Sequence, residues 1–109
     1  MKTFDVKTMW AEYPGCVLIQ DSYANNGHIA LSIFSPSEGP IADLTVNIRE
    51  VSDFPKYCSC VDTNDFPEAE AVISQLKIGK PAGLFMNSGF CSYPLYVFDL
   101  ETIKEWIAE

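Results

Sequence analysis

Between residues 16 and 48 the chain reads CVLIQ, DSYANNGH, IALSIF, SPSEGP, IADLTVNI: three apolar runs separated by two turn clusters. No other feature constrains the fold as tightly. Asn26-Gly27 is a strong hairpin signal, because both residues tolerate positive φ. The second cluster is rich in Pro, Ser and Gly, which favour turns. CVLIQ is a strand by its β-branched and apolar content. In the next run Ile29, Leu31 and Ile33 alternate with Ala30, Ser32 and Phe34, the two-residue period of a strand. In residues 41–48 the even set (Ala42, Leu44, Val46, Ile48) is expected to face the core, and the odd set (Ile41, Asp43, Thr45, Asn47) solvent or a partner. A meander of three antiparallel strands follows.

Upstream, YPG at 13–15 reads as a break, and MKTFDVKTMW is ambiguous between strand and helix. Downstream, YCSCVDT (57–63) reads as a fourth strand. A helix is expected over about residues 66–78, with Pro67 in its first turn, Glu68 and Glu70 at its positive end, and Gly79 with Pro81 stopping it. Ala69, Val72, Ile73 and Leu76 form its core stripe. SGFCSYPLYVFDLE (88–101) has apolar residues on both faces of the pleat and reads as a central strand, its approach shaped by Gly89 and Pro94. Asp99 then caps a second helix over about 100–108, with Leu100, Ile103, Trp106 and Ile107 inward. The expected fold is a single α+β domain, residues 1–109, in which a small antiparallel sheet of four to five strands packs against the two helices.

Charge narrows the function. With 15 Asp and Glu against 7 Lys and Arg, the net charge is −8. Such a chain repels nucleic acid and anionic membranes and suits a basic protein partner. Residues 1–12 lack the apolar run of a signal peptide, and no segment is long and apolar enough to cross a bilayer, so a cytoplasmic protein is expected. In that compartment Cys16, Cys58, Cys60 and Cys91 read as reduced, mostly buried thiols. Cys58 and Cys60 share one side of their strand, where Cys91 or His28 could join them, but the C-x-C spacing does not match the usual zinc patterns. The lone His28, beside the Asn26-Gly27 turn, reads as exposed, and no phosphate-binding, metalloprotease or nucleophile-elbow motif is present. No enzyme, cofactor or metal is expected; a Cys91–His28 pair or a cysteine metal site is the minor alternative.

Two acidic groups are the candidate binding residues: Asp62, Asp65, Glu68 and Glu70 in a stretch without Lys or Arg, and Glu101, Glu105 and Glu109 along one face of the last helix. Tyr93 and Tyr96 are candidate contact residues beside them. YANNG with HIALSIF, LTVNI with VDTNDFPEAEAVI, and SGFCSYPLYVFDLE, taken in this order, resemble a family of short acidic proteins on conjugative and integrative elements of Gram-positive gut bacteria, a domain of unknown function. The resemblance covers roughly Tyr23 to Glu105; residues before Pro14 match no pattern. It implies the genomic company of anti-defence proteins and, as an expectation, an anti-CRISPR inhibitor. Its acidic surfaces would compete with nucleic acid for the basic channel of a type II RNA-guided nuclease. The alternative is another mobile-element interaction module. An exposed sheet edge leaves both monomer and homodimer open.

Overall fold

The connection at residues 23–28 closes as its sequence implies. Gly27 sits at φ +73, its N–H donates to the Tyr23 carbonyl, and the Tyr23 N–H donates to the His28 carbonyl. On either side lie β2 (Glu12–Ser22) and β3 (Ile29–Ser35), paired antiparallel from Val17↔Phe34 to Ser22↔Ile29. β3 buries Ile29, Leu31 and Ile33 on one face, as its alternation predicts. β1 (Phe4–Lys7) pairs with β2, and β4 (Gly39–Asp43) with β3, giving the sheet order β1-β2-β3-β4. Pro14-Gly15 does not break the chain. β2 runs straight through it, and the β1 register shifts there while Gly15 adopts φ +67, so the dipeptide makes a bulge.

The computed structural model describes residues 2–107. Within them lie eight strands in two four-stranded antiparallel sheets, with two α-helices. The single sheet of four to five strands expected from the sequence is therefore replaced by two. The division falls inside the 41–48 run. β4 ends at Asp43, and β5 (Thr45–Val46) begins a second sheet of order β5-β6-β8-β7, with β6 at Cys58–Val61, β7 at Gly79–Ser88 and β8 at Cys91–Phe98. Leu44 is the joint: its N–H donates to the Leu31 carbonyl of β3, and its carbonyl accepts from the Asp62 N–H just past β6. The strict even/odd reading fails at this corner. Thr45 is buried because its hydroxyl meets the Tyr23 hydroxyl at 2.7 Å and accepts from the Leu31 N–H. Ile41, from the same odd set, is half-buried against the core.

The first helix, α1 (Ala69–Leu76), buries Ala69, Val72, Ile73 and Leu76, the expected stripe. It starts three residues later than the sequence suggests and stops at Lys77, a left-handed residue whose N–H donates to the Ile73 and Ser74 carbonyls. Gly79 and Pro81 are not stop signals but the opening of β7, an element not foreseen at all. Proline is tolerated there because β7 is an edge strand, where a missing N–H breaks no ladder on the open side. β8 lies between β6 and β7, and its central position explains its two apolar faces. Tyr96 and Phe98 join the main core with α1 and the first sheet. Tyr93 and Leu95 join a second cluster with Cys58, Cys60, Met86 and Val51, the last from a 3-10 turn at Arg49–Asp53.

Asp99 caps the second helix, α2 (Leu100–Lys104), accepting from the Glu101 and Thr102 N–H groups and from the Thr102 hydroxyl. α2 is shorter than the expected 100–108, because the chain beyond it docks onto β1 and β2. The Leu18 N–H donates to the Trp106 carbonyl, the Lys2 N–H donates to the Glu105 carbonyl, and the Trp106 ring meets Phe4 edge-on at 5.8 Å. Ile103 is fully buried, whereas Leu100, expected inward beside it, is 41% exposed at the start of the helix. No helix among the described residues is long and apolar enough to cross a membrane.

Candidate partner-binding surface

The residues singled out for binding fall into three environments. Tyr93 and Tyr96, expected as contacts, lie in the core at 8% and 5% exposure. As β8 is a central strand, its rings fill the two clusters, and neither tyrosine presents a face to a partner. Tyr96 donates from its hydroxyl to Glu70, and burial together with that carboxylate pushes its pKa up. Glu70 is thereby engaged with the scaffold. Asp62 is also internal: its carboxylate accepts from the Asp65 N–H, and burial raises its pKa above the ordinary carboxylate value. The charges of Asp65 and Asp43 push in the same direction.

On α2 the expected acidic stripe is locally paired. Lys104 reaches Glu101 at 3.2 Å, and Lys2 reaches Glu105 at 2.8 Å while its Nζ lies 5.4 Å from the Trp106 ring centre. These are exposed pairs of small energetic weight, yet they place a cation beside each carboxylate. Glu109 lies outside the described residues. Besides the buried Asp62, three acidic side chains of the predicted set make no ion pair among the described residues: exposed Asp65, half-buried Glu68, and exposed Glu70, which is held by the Tyr96 hydroxyl.

Asp65 and Glu68 stand beside something unforeseen. The turn between β1 and β2 is closed by Thr8, whose hydroxyl oxygen accepts from the Trp10 and Ala11 N–H groups. This turn projects Met9 and Trp10 outward at 80% and 87% exposure. Across from them run Asp65 and Glu68, leading into α1, and between the two walls lies a groove of about 280 Å³ floored by Tyr13 and Ile41. An indole face attracts a guanidinium or ammonium group, and flanking carboxylates add charge pairing, so the groove has the chemistry that suits a Lys or Arg side chain. A sequence signal for Met9 and Trp10 did exist. Phe4 and Val6 alternate inward, and the adjacent pair Met9-Trp10 breaks that alternation where a turn must fall.

A larger cleft of about 890 Å³ opens between the end of α1 and the start of β7. Its lining includes Tyr96, Phe98 and Pro81, with Lys77 and Lys80 against one carboxylate, Asp99, so unlike the Trp10 groove it is not acidic.

The residues weighed for chemistry are arranged differently from expectation. His28 is not exposed: its ring is fully buried, and Nδ1–H donates to the Cys58 carbonyl at 2.8 Å, while Nε2 makes no hydrogen bond. Tight packing of the 23–28 connection against β6 draws it in; the Ser59 hydroxyl also donates across this seam, to the Ile29 carbonyl. Cys16, Cys58 and Cys60 are buried, and desolvation raises their thiol pKa values, that of Cys60 to about 11. Such thiols stay protonated and are poor nucleophiles. Cys91 is half-buried against the cluster that holds Cys58 and Cys60. Among the described residues no group of three or more His, Cys, Asp or Glu side chains is placed to hold a metal ion.

Neither curated proteins nor solved structures yield a match to the chain. One family model does match, over residues 16–109, from the first buried position of β2 onward; the β1–β2 turn carrying Trp10 lies ahead of it. That span is most of the chain, and the protein belongs to the family described as Domain of unknown function (DUF4313).

Proposed function

We propose that this protein is a non-enzymatic interaction module that captures a Lys/Arg-rich segment of a partner protein in the groove between Trp10 and Asp65–Glu68. The observation that carries the reading is an exposed indole lining a groove of about 280 Å³ together with two carboxylates that make no ion pair among the described residues. The net charge of −8 supports it at long range, because it steers basic partners in and keeps nucleic acid out. The raised thiol pKa values and the buried His28 weigh against the nucleophilic alternative.

At finer grain, the partner class is a type II RNA-guided nuclease, and the activity is anti-CRISPR inhibition in the cytoplasm. The chain occupies part of the basic channel that otherwise holds guide or target. This rests on the resemblance to proteins of mobile elements and on the acidity of the groove. The alternative within the same class is a mobile-element module with a different basic partner.

Purified protein titrated against a guide-loaded type II nuclease should stop cleavage near one equivalent, with inhibition weakening as salt rises. Trp10→Ala and the pair Asp65→Lys, Glu68→Lys should each lower affinity at least tenfold while thermal unfolding is unchanged. A lack of inhibition would rule out the nuclease. A Lys/Arg-rich peptide that binds wild type and variants equally would sink the groove itself.

A further inference from the structure

We propose that β7 is a homodimer interface, on which two copies of the chain pair antiparallel and join their second sheets. This is a different surface from the Trp10 groove, and it rests on separate observations.

The first is the direction of the backbone groups. Phe85 pairs with Pro94, Met86 with Tyr93, Asn87 with Ser92 and Ser88 with Cys91. Antiparallel pairs alternate between those that exchange two hydrogen bonds and those that exchange none. Pro94 has no N–H, so Phe85↔Pro94 belongs to the second kind, as does Asn87↔Ser92 two residues on. The N–H and C=O of both Phe85 and Asn87 therefore point away from β8, toward the open edge. A two-fold axis through Met86 sets Phe85 of one copy against Asn87 of the other, and the reverse. Four backbone hydrogen bonds form with no change in fold.

The second is composition. From Pro81 to Phe98 the sequence has no charged residue, in a chain of net charge −8. Two such chains repel one another over most of their surface, and this edge is where a like-charged copy meets least repulsion. It is also apolar: Phe85 is 67% exposed, and Leu84 and the hairpin-tip Phe90 are exposed beside it. Edge strands are commonly blunted with inward charges, proline or bulges. Here Pro81 and the bulge at Pro81–Phe85, with Gly83 at φ +87, protect the first half of β7 and leave Leu84–Ser88 bare. A self-complementary patch about a two-fold is the commonest way a chain closes an assembly.

Sedimentation of the purified chain over a rising concentration series tests this. The expected result is a monomer–dimer equilibrium that is unchanged or strengthened by added salt, opposite to binding of a basic partner. Asn87→Pro removes the outward N–H without breaking a backbone bond to β8, so it should abolish the dimer and leave the monomer folded. Phe85→Lys should weaken association at least tenfold by a second route. A chain that stays monomeric at high micromolar concentration overturns the proposal and leaves the edge to a strand from another protein. So does a dimer indifferent to both substitutions. Neither result bears on the Trp10 groove, whose variants retain an intact β7.

Discussion

The imidazole of His28 contributes to stability in two ways: it fills core volume and it satisfies the Cys58 carbonyl. Removing both in His28→Ala should cost about 2–4 kcal/mol in urea unfolding, from the cavity and the orphaned carbonyl together. His28→Asn, which restores a donor, should recover part of that. Asp62 carries a pH signature. Its folded pKa lies above the usual carboxylate value because the group is buried, so the folded state holds the proton more tightly than the unfolded chain. Stability falls as pH rises through the window from the ordinary value of 3.8 to the raised one, and the cost persists at neutral pH. Asp62→Asn keeps an acceptor for the Asp65 N–H and removes the charge. It should raise the urea midpoint at neutral pH, by a margin that shrinks as the buffer is taken down toward about pH 4. A gain constant across that range would show that Asp62 is not the titrating group. These residues also show where a linear sequence is silent: His28 and Asp62 look like surface groups until a neighbouring segment covers them.

At the scale of the element, helix and strand ends decide the detail. Lys77 holds φ 59, a conformation that costs a side-chain-bearing residue and costs glycine nothing. Lys77→Gly should therefore stabilise the protein by about 0.5–1 kcal/mol in chemical denaturation. Gly79, two residues on, needs its lack of side chain for a different reason. A Cβ there would lie 3.0 Å from Phe98 Cδ1 and 3.1 Å from the Val97 carbonyl oxygen. Gly79→Ala should cost about 1–3 kcal/mol as an overpacked contact, measured the same way. α1, β3, β6 and β8 were legible in the sequence, because apolar periodicity and end signals agree in each. β7 was not. Its Gly, Pro and Gly are helix-stop or turn signals in isolation, and become an edge strand only because β8 supplies a partner on one side.

For the whole molecule, charge and topology act separately. The negative field reaches any partner, while of the two functional surfaces proposed one is charged and the other is not. The Trp10 groove is acidic and should release a basic partner as ionic strength rises, and the uncharged β7 edge should not. Measuring both in one salt series separates them: parallel salt dependences would mean a single, purely electrostatic mode. The separation of the acidic residues is itself a tertiary result. Asp65 and Glu68 make no ion pair among the described residues, Glu70 is held by the Tyr96 hydroxyl, Glu101 and Glu105 meet Lys104 and Lys2, and Asp62 is buried. Lys2 and Glu105 lie at opposite ends of the chain, so nothing local could have joined them.

The sequence by itself determined the antiparallel character of the fold, the stripe of α1, the Asp99 cap and the central place of β8. Each follows from short-range rules: alternation, turn chemistry and helix period. Only the tertiary structure decided that the meander splits at Leu44 into two sheets, that His28 and both β8 tyrosines are interior, and that Trp10 faces Asp65 and Glu68. Those outcomes depend on which segments cover one another. Contacts between residues far apart in the chain set that, and no local pattern encodes them.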